Sequence, residues 1–202
     1  MLDHVFTDAI GALRDAFGNA FLERQAFEEH LHSDVLLGDL VWATSYGLPG
    51  EGQPPRVVAH ITFTWPSWSQ ATYRAWYVEE IYHEAPVVEM EIVFRVQRLV
   101  ALPDTNQIAG VAPMTSPRIG TQQLSRESIS SETINTTNVL RPTDHAAEIV
   151  YQGVYELSED TLADGTNTKL DDHFGSLGGW VASTLVKLGD LHLVYHPADD
   201  EK

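Results

Sequence analysis

Three long runs alternate between apolar and polar side chains, and this alternation constrains the fold more than any other feature of the chain. They occupy residues 57–65, 87–99 and 146–157. Side chains of a β-strand point alternately to opposite faces, so each run predicts a strand with one apolar face. Such strands belong to antiparallel sheets that meet water on one side. The residues expected on the buried side are Val57, Ala59, Ile61, Phe63 and Trp65, then Val88, Met90, Ile92, Phe94 and Val96, then Ala147, Ile149, Tyr151, Tyr155 and Leu157.

An amphipathic helix is predicted before the first alternating run, over residues 3–17. Asp3 is placed to cap its amino end, and Gly18-Asn19 predicts its end because both residue types tolerate left-handed backbone geometry. Its apolar stripe consists of Phe6, Ile10, Leu13 and Phe17.

A second amphipathic helix is predicted over residues 172–188, capped by Asp171 or Asp172 and ending at Gly189. Its apolar stripe consists of Leu177, Val181, Leu185 and Leu188. Glycines within a helix weaken it unless another element needs the space. We therefore expect Gly175, Gly178 and Gly179 to permit a close approach to the sheet.

Two further segments favour strands. Residues 35–46 (VLLGDLVWATSY) are rich in apolar and β-branched side chains, and LHLVY at 191–195 alternates as a short final strand. The run LPGEGQPP between the first two strands has the composition of a turn or loop.

The segment 103–143 differs from the rest because it is rich in Ser, Thr, Asn, Gln and Pro and has few large apolar residues. Forty residues of loop are improbable inside a compact domain. The segment is therefore expected to be either partly disordered or a polar hairpin over residues 118–140 that projects from the domain.

Together these patterns predict a single α+β domain over residues 1–202. Its core is a mostly antiparallel sheet of four to six strands, with the N-terminal and C-terminal helices packed on the apolar face. The polar segment 103–143 forms a long inserted arm.

Composition excludes several classes of function. The chain has no cysteine, which removes disulfide frameworks, thiol nucleophiles and iron–sulfur clusters. Twelve basic residues stand against 29 acidic ones, for a net charge of −17. Nucleic acid and anionic membranes would be repelled by this charge, so neither is an expected partner.

The start of the chain has acidic residues and a helical pattern instead of the basic end and apolar run of a secretion signal. No apolar run reaches about 18 residues, the length that would span a membrane. We therefore expect a cytoplasmic location, or one within a particle assembled inside a cell.

The segment TWPSWSQATYRAWYVEEIYH (64–83) contains six aromatic residues. Ser67-Trp68-Ser69-Gln70 has the form of a capping box and favours a helix over 68–82, while a strand is an equal alternative. On either alternative the rings cannot all face one core, so some must lie at a surface. We expect Trp65 to lie in the core and Trp68, Trp76 and Tyr77 to lie at least partly at an interface. The candidate interface or ligand platform is Trp68, Tyr73, Trp76 and Tyr77.

Histidines offer an alternative site. His30 and His32 are two residues apart and share a face if they lie in a strand, and His60 lies on the polar face of its own strand. With Asp34 they could supply nitrogen and oxygen ligands for zinc, iron or manganese. Nine histidines in 202 residues produce such spacings by chance, so the favoured expectation is that no metal and no cofactor is bound.

No sequence motif specifies a reaction. Neither Gly-x-Ser-x-Gly nor a phosphate-binding Gly-x-x-x-x-Gly-Lys occurs. The carboxylate pairs Glu79-Glu80 and Glu89/Glu91 fit an ordinary wet surface. No catalytic residue is therefore predicted.

Three functions of different classes remain. The favoured one is a non-enzymatic structural or assembly subunit, a homo-oligomer or part of a larger protein complex, which makes its contacts through the aromatic face and the polar arm. The second is a module that binds a small ligand or carbohydrate on stacked rings, and the third is a metal-dependent enzyme that uses the histidines. The predicted order of elements resembles that of small joining proteins of tailed-virus particles, a likeness of topology without a shared motif.

Overall fold

The computed structural model describes residues 2–22, 28–36, 38–48, 52–79, 84–135, 143–158 and 168–198. In this part of the chain the elements are α1 (Leu2–Leu22), β1 (Glu28–Leu36), β2 (Asp39–Gly47), β3 (Val57–Trp65), α2 (Ser67–Glu79), β4 (Val87–Leu99), α3 (Thr105–Val111), β5 (Ser125–Asn135), β6 (Thr143–Glu156) and α4 (Thr168–Gly189). The strands form one six-stranded sheet in the order β1-β2-β3-β4-β6-β5. Each strand is antiparallel to its neighbours. The predicted α+β fold is confirmed.

The alternating runs occupy β3, β4 and β6 in the predicted register. Every residue expected on their apolar faces is buried, while Glu89 is exposed and Glu91 half-buried on the opposite face. Both terminal helices pack on the apolar face. Phe63 of β3 makes edge contacts with Phe17 of α1 and with Phe174 of α4. The opposite side, called here the open face, carries the polar side chains of the same strands.

The two terminal helices also pack against each other, and a glycine is the reason they can. A Cβ atom built at Gly178 would lie 2.8 Å from Cβ of Ala20 in α1. The glycines of α4 were expected to allow a close approach to the sheet. Gly178 instead allows a close approach to α1. Both helices are longer than predicted: α1 continues through Gly18-Asn19 to Leu22, and α4 begins at Thr168. Once such packing is available, a single glycine does not end a helix.

The segment predicted as one strand over 35–46 is two strands. β1 ends at Leu36 and β2 begins at Asp39, with Gly38 between them at a φ of +90°, a conformation that glycine adopts without strain. LHLVY at 191–195 is not a strand either. Tyr195 makes one isolated bridge with Leu99, and Val100 N donates to Val194 O at 3.0 Å.

This C-terminal segment is held by the buried residue Arg98. Its guanidinium donates to Pro54 O at 2.9 Å and to His196 O at 2.7 Å. Its own carbonyl oxygen accepts from His196 N at 2.7 Å. One side chain therefore links the end of β4 to two loops that are distant in sequence.

The polar segment 103–143 is more ordered than the sequence indicated. It contains α3, whose amino end is capped by Asp104, and the strand β5. β5 pairs with β6 from Ser125 to Asn135 and is the edge strand of the main sheet. Along its described length it extends the sheet instead of projecting from it, which corrects the expectation of a separate hairpin. Residues 136–142 lie outside the described part of the chain.

Candidate functional site

The aromatic segment forms α2, which confirms the helical alternative. Ser69 and Tyr73, one helical turn apart, are both buried and mark the inner face of the helix. Ser69 Oγ donates to Val87 O and accepts from Val87 N, each at 2.7 Å, which joins α2 to the start of β4.

The first turn of α2 is also fixed to the β1–β2 turn. Ser67 N donates to Asp39 Oδ1 at 2.6 Å, so the amino end is capped by a carboxylate 28 residues earlier in the chain. Gln70 Nε2 donates to Gly38 O at 3.0 Å and to Trp65 O at 2.9 Å. Asp39 therefore takes the capping role that the sequence had assigned to Ser67. The backbone around Trp68 is therefore held by the hydrogen bond of Ser67 N before it and by the side chain of Gln70 after it.

The aromatic residues separate as follows. Trp65 is buried, as predicted, and its ring makes an edge contact with Tyr73 at 5.6 Å. Tyr73, which the sequence had placed in the surface platform, is instead buried against Trp65. Trp68 is 52% exposed and Trp76 half-buried. The side chain of Tyr77, like the whole of Tyr82, lies outside the described part.

Trp68 belongs to an exposed surface that continues along α2. Residues three, four and seven apart lie on one face of a helix, which groups Trp68 with Ala71, Arg74 and Ala75. Ala71 and Arg74 are exposed and Ala75 is half-buried. These four residues are called the α2 surface. The α2 side chains that the structure describes, residues 67–76, include Arg74 and no acid. Within a chain of net charge −17, the four side chains of the α2 surface are therefore cationic and partly apolar.

A second exposed apolar group lies beyond the other end of β4. Val100 is 45% exposed, Leu102 56% and Val194 71%. The hydrogen bond between Val100 and Val194 places the two segments side by side. These three residues are called the distal patch. Sequence reasoning missed it because the alternation in LHLVY predicted a paired strand.

The open face of the sheet carries hydrogen-bonded polar residues. Arg95 forms ion pairs with Glu148 and Glu132, and Gln152 Nε2 donates to Glu91 at 2.7 Å. A groove of about 390 Å³ lies on this face. Its polar lining comes from Thr62, Thr64, Glu89, Glu91 and Gln152.

The strand register brings the predicted metal-site residues near one another. His30 is paired with Ser45, and Ser45 in turn with His60, so the three share one row across the sheet. His32 and Asp34 follow on the same strand, but their side chains, like that of His30, lie outside the described part. Among the residues described, no group of three or more His, Asp or Glu is arranged to hold a metal ion. The expectation that no metal is bound, and the alternative of a site at these residues, both stay predictions.

The imidazole ring of His60 is hydrogen bonded and has a lowered pKa. Its Nδ1 is hydrogen bonded to Ser45 Oγ at 2.7 Å. Desolvation, and then the positive charge of Arg95, lower the pKa of His60 below its usual 6.5, although Glu148 opposes the shift. The lowered pKa favours the neutral ring at pH 7.

A serine bonded to a neutral imidazole resembles a nucleophile and its base, but the surroundings do not favour catalysis. Ser45 lies in β2, a strand paired on both sides, so its backbone groups belong to the ladder. Acyl transfer needs hydrogen-bond donors that are free to stabilise a developing oxyanion. The Ser45–His60 pair is better explained as a cross-strand contact.

Comparisons with protein-family models, with curated proteins and with solved structures return no match. Within the ranges described above, no helix is both long enough and apolar enough to cross a membrane.

Proposed function

We propose that this chain is a non-enzymatic structural subunit that self-associates or docks in a larger protein assembly through the α2 surface. The observation that carries the proposal is Trp68, a large ring exposed on a helical turn that Asp39, Gln70 and Ser69 hold in place. An aromatic residue on a prearranged backbone loses little conformational freedom on binding. Tryptophan is also among the residue types most enriched at the energetic centres of protein interfaces.

The polar edge strand is the second element of the proposal. β5 is an edge strand of eleven residues, and its first two, Ser125 and Arg126, already pair with Thr115 and Met114. The rest of the strand offers backbone donors and acceptors to a strand from another chain. The larger assembly includes a virus-type particle as one case, because the predicted element order resembles that of joining proteins of tailed-virus particles.

The stacking platform of a carbohydrate module is less well supported. Tyr73 is buried, which leaves Trp68 as the one strongly exposed ring among the described residues of the proposed platform. Sugar-binding sites of that type usually combine an aromatic face with convergent polar groups. The polar groove lies on the open face, among β3, β4 and β6, and not on α2.

Sedimentation velocity over a range of protein concentrations tests the proposal. We expect concentration-dependent association of the intact chain and a dissociation constant about 30-fold higher for Trp68→Ala, which corresponds to about 2 kcal/mol. Val186→Ala is the matched control, since Val186 is 47% exposed and lies on α4, outside both α2 and β5. A strict monomer, with no partner retained in native mass spectrometry after purification from its host, would overturn the proposal.

A further inference from the structure

We infer that copies of this chain associate head to tail, with the α2 surface of one copy packed against the distal patch of the next. This inference rests on the proposed function and adds to it the partner, a second copy, and the two different surfaces that meet.

The two surfaces lie at opposite ends of one strand. Ser69 of α2 is hydrogen bonded to Val87, the first residue of β4, while Val100 directly follows Leu99, the last. β4 has 13 residues, which at about 3.3 Å per residue gives a separation of roughly 40 Å. A contact between them cannot form within one chain. Between copies, the contact can repeat, with each copy adding to the end of the one before.

Both surfaces have apolar area left to bury. Val194, Leu102 and Trp68 are three of the four most exposed large apolar side chains in the described part of the chain. Each Å² of apolar surface removed from water stabilises a complex by about 25 cal/mol before the cost of association. Ala71 and Ala75 border Trp68 with small side chains, so a partner surface can approach the ring closely.

The charges of the two ends are complementary. The α2 surface carries Arg74, and the distal patch is flanked by Asp104, two residues from Leu102, and by Asp190, four residues from Val194. Both carboxylates and Arg74 are exposed. At a net charge of −17, most surfaces of two copies repel each other. Among the described side chains, the α2 surface carries Arg74 and its acidic neighbour is Asp39, which is half-buried and engaged as the cap of the helix, so this surface is where another copy can dock.

Two unlike surfaces produce a particular kind of assembly. A two-fold dimer pairs each surface with itself, whereas contact between unlike surfaces is heterologous and repeats until it closes a ring or extends as a stack. The edge strands β1 and β5 lie at the sides of the sheet and remain outside this contact.

Mixing two variants tests the inference. The first, Trp68→Ser, loses its α2 surface and keeps its distal patch. The second, Leu102→Ser/Val194→Ser, loses its patch and keeps its α2 surface. All three positions are exposed, so the monomer fold should persist, and circular dichroism checks this. We expect each variant alone to sediment as a monomer, and the equimolar mixture to form dimers that cannot extend because each retains one competent contact.

A charge exchange gives an independent readout. Arg74→Glu alone should weaken association of the chain at least tenfold, and adding Asp190→Arg to the same chain, so that both partners in every contact are exchanged, should restore part of the loss. A mixture of the two serine variants that stays monomeric, while the intact chain assembles, would overturn the head-to-tail contact and leave the proposed function standing. Unchanged assembly of either serine variant alone would overturn the assigned surfaces. A strictly monomeric intact chain would overturn the head-to-tail contact, and it would overturn the proposed function as well if native mass spectrometry shows no retained partner.

Discussion

Ser69 Oγ lies 2.7 Å from both the amide nitrogen and the carbonyl oxygen of Val87, donating to one backbone group and accepting from the other. Ser69 is fully buried, and Val87 is the first residue of β4. One hydroxyl therefore satisfies two backbone groups and sets where α2 meets the sheet. The position of Trp68, one residue earlier, follows from this contact.

Ser69→Ala should lower the free energy of unfolding by about 2 kcal/mol, because both Val87 groups lose their partner in a site largely closed to water. Urea denaturation followed by tryptophan fluorescence measures the change. Ser67→Ala is the control, since its side chain is exposed and its helix contact is made by the main-chain nitrogen. Equal effects of the two substitutions would contradict the role given to Ser69.

Gly178 and Gly175 provide a matched pair on α4. Gly178→Ala places a Cβ atom 2.8 Å from that of Ala20, so we expect a loss of about 1 to 3 kcal/mol as α1 and α4 move apart. Gly175 has nothing within 4 Å of a built Cβ, and Gly175→Ala should stabilise the helix by about 0.5 to 1 kcal/mol.

Thermal unfolding of both single variants, and of Gly178→Ala combined with Ala20→Gly, distinguishes crowding from other effects. The combined variant removes the contacting methyl group and should recover part of the loss. Ala20→Gly alone measures the cost of a glycine in α1, about 0.5 to 1 kcal/mol. If the loss in the combined variant equals the sum of the two single losses, the close contact is not the cause.

The sequence predicted the central strands well because their pattern has one consistent solution. A shift of one residue would move Glu89 and Glu91 into the core and Met90 and Ile92 into water, so the register of β4 could be set without a structure. The terminal helices followed from spacing alone in the same way. Their ends did not, because α1 and α4 are extended by contacts with each other that no local signal encodes.

Other elements could not be predicted because their signals are weak or distant. β5 (SRESISSETIN) is an edge strand with mostly exposed side chains, so it lacks the alternation that identifies a strand. The break between β1 and β2 falls inside the apolar run VLLGDLV, where Gly38 is the sole turn signal. At the candidate site, the cap on α2 comes from Asp39, and this pairing depends on the folded position of the β1–β2 turn.

Thr44 predicts a stabilising substitution. It is buried in β2 opposite Ile61, and its Oγ1 has no hydrogen-bond partner in the described part of the structure. A buried hydroxyl without a partner costs about 1 to 3 kcal/mol. Thr44→Val keeps the shape of the side chain and should raise the free energy of unfolding by about 1 kcal/mol in chemical denaturation. Thr44→Ser keeps the hydroxyl and loses a methyl group, so its free energy of unfolding should be lower than that of the parent chain. If Thr44→Val were instead less stable than Thr44→Ser, the hydroxyl would have a partner.

His60 predicts a pH dependence whose sign follows from its lowered pKa. Partial desolvation of the ring is the main cause, the charge of Arg95 adds to it, and the folded pKa lies below the unfolded value of 6.5. The unfolded chain therefore takes up the proton first as the pH falls. The contribution of His60 to stability is complete above about pH 6.5 and is lost as the pH falls through the folded pKa.

Two substitutions should move the pKa of His60 in opposite directions. Arg95→Gln removes a positive charge that disfavours the imidazolium and should raise the pKa, while Glu148→Gln removes a negative charge that favours it and should lower the pKa. The chemical shift of the His60 ring proton against pH, followed by NMR, measures both. If both substitutions shift His60 the same way, its pKa is governed by a rearrangement of the strand and not by these two charges.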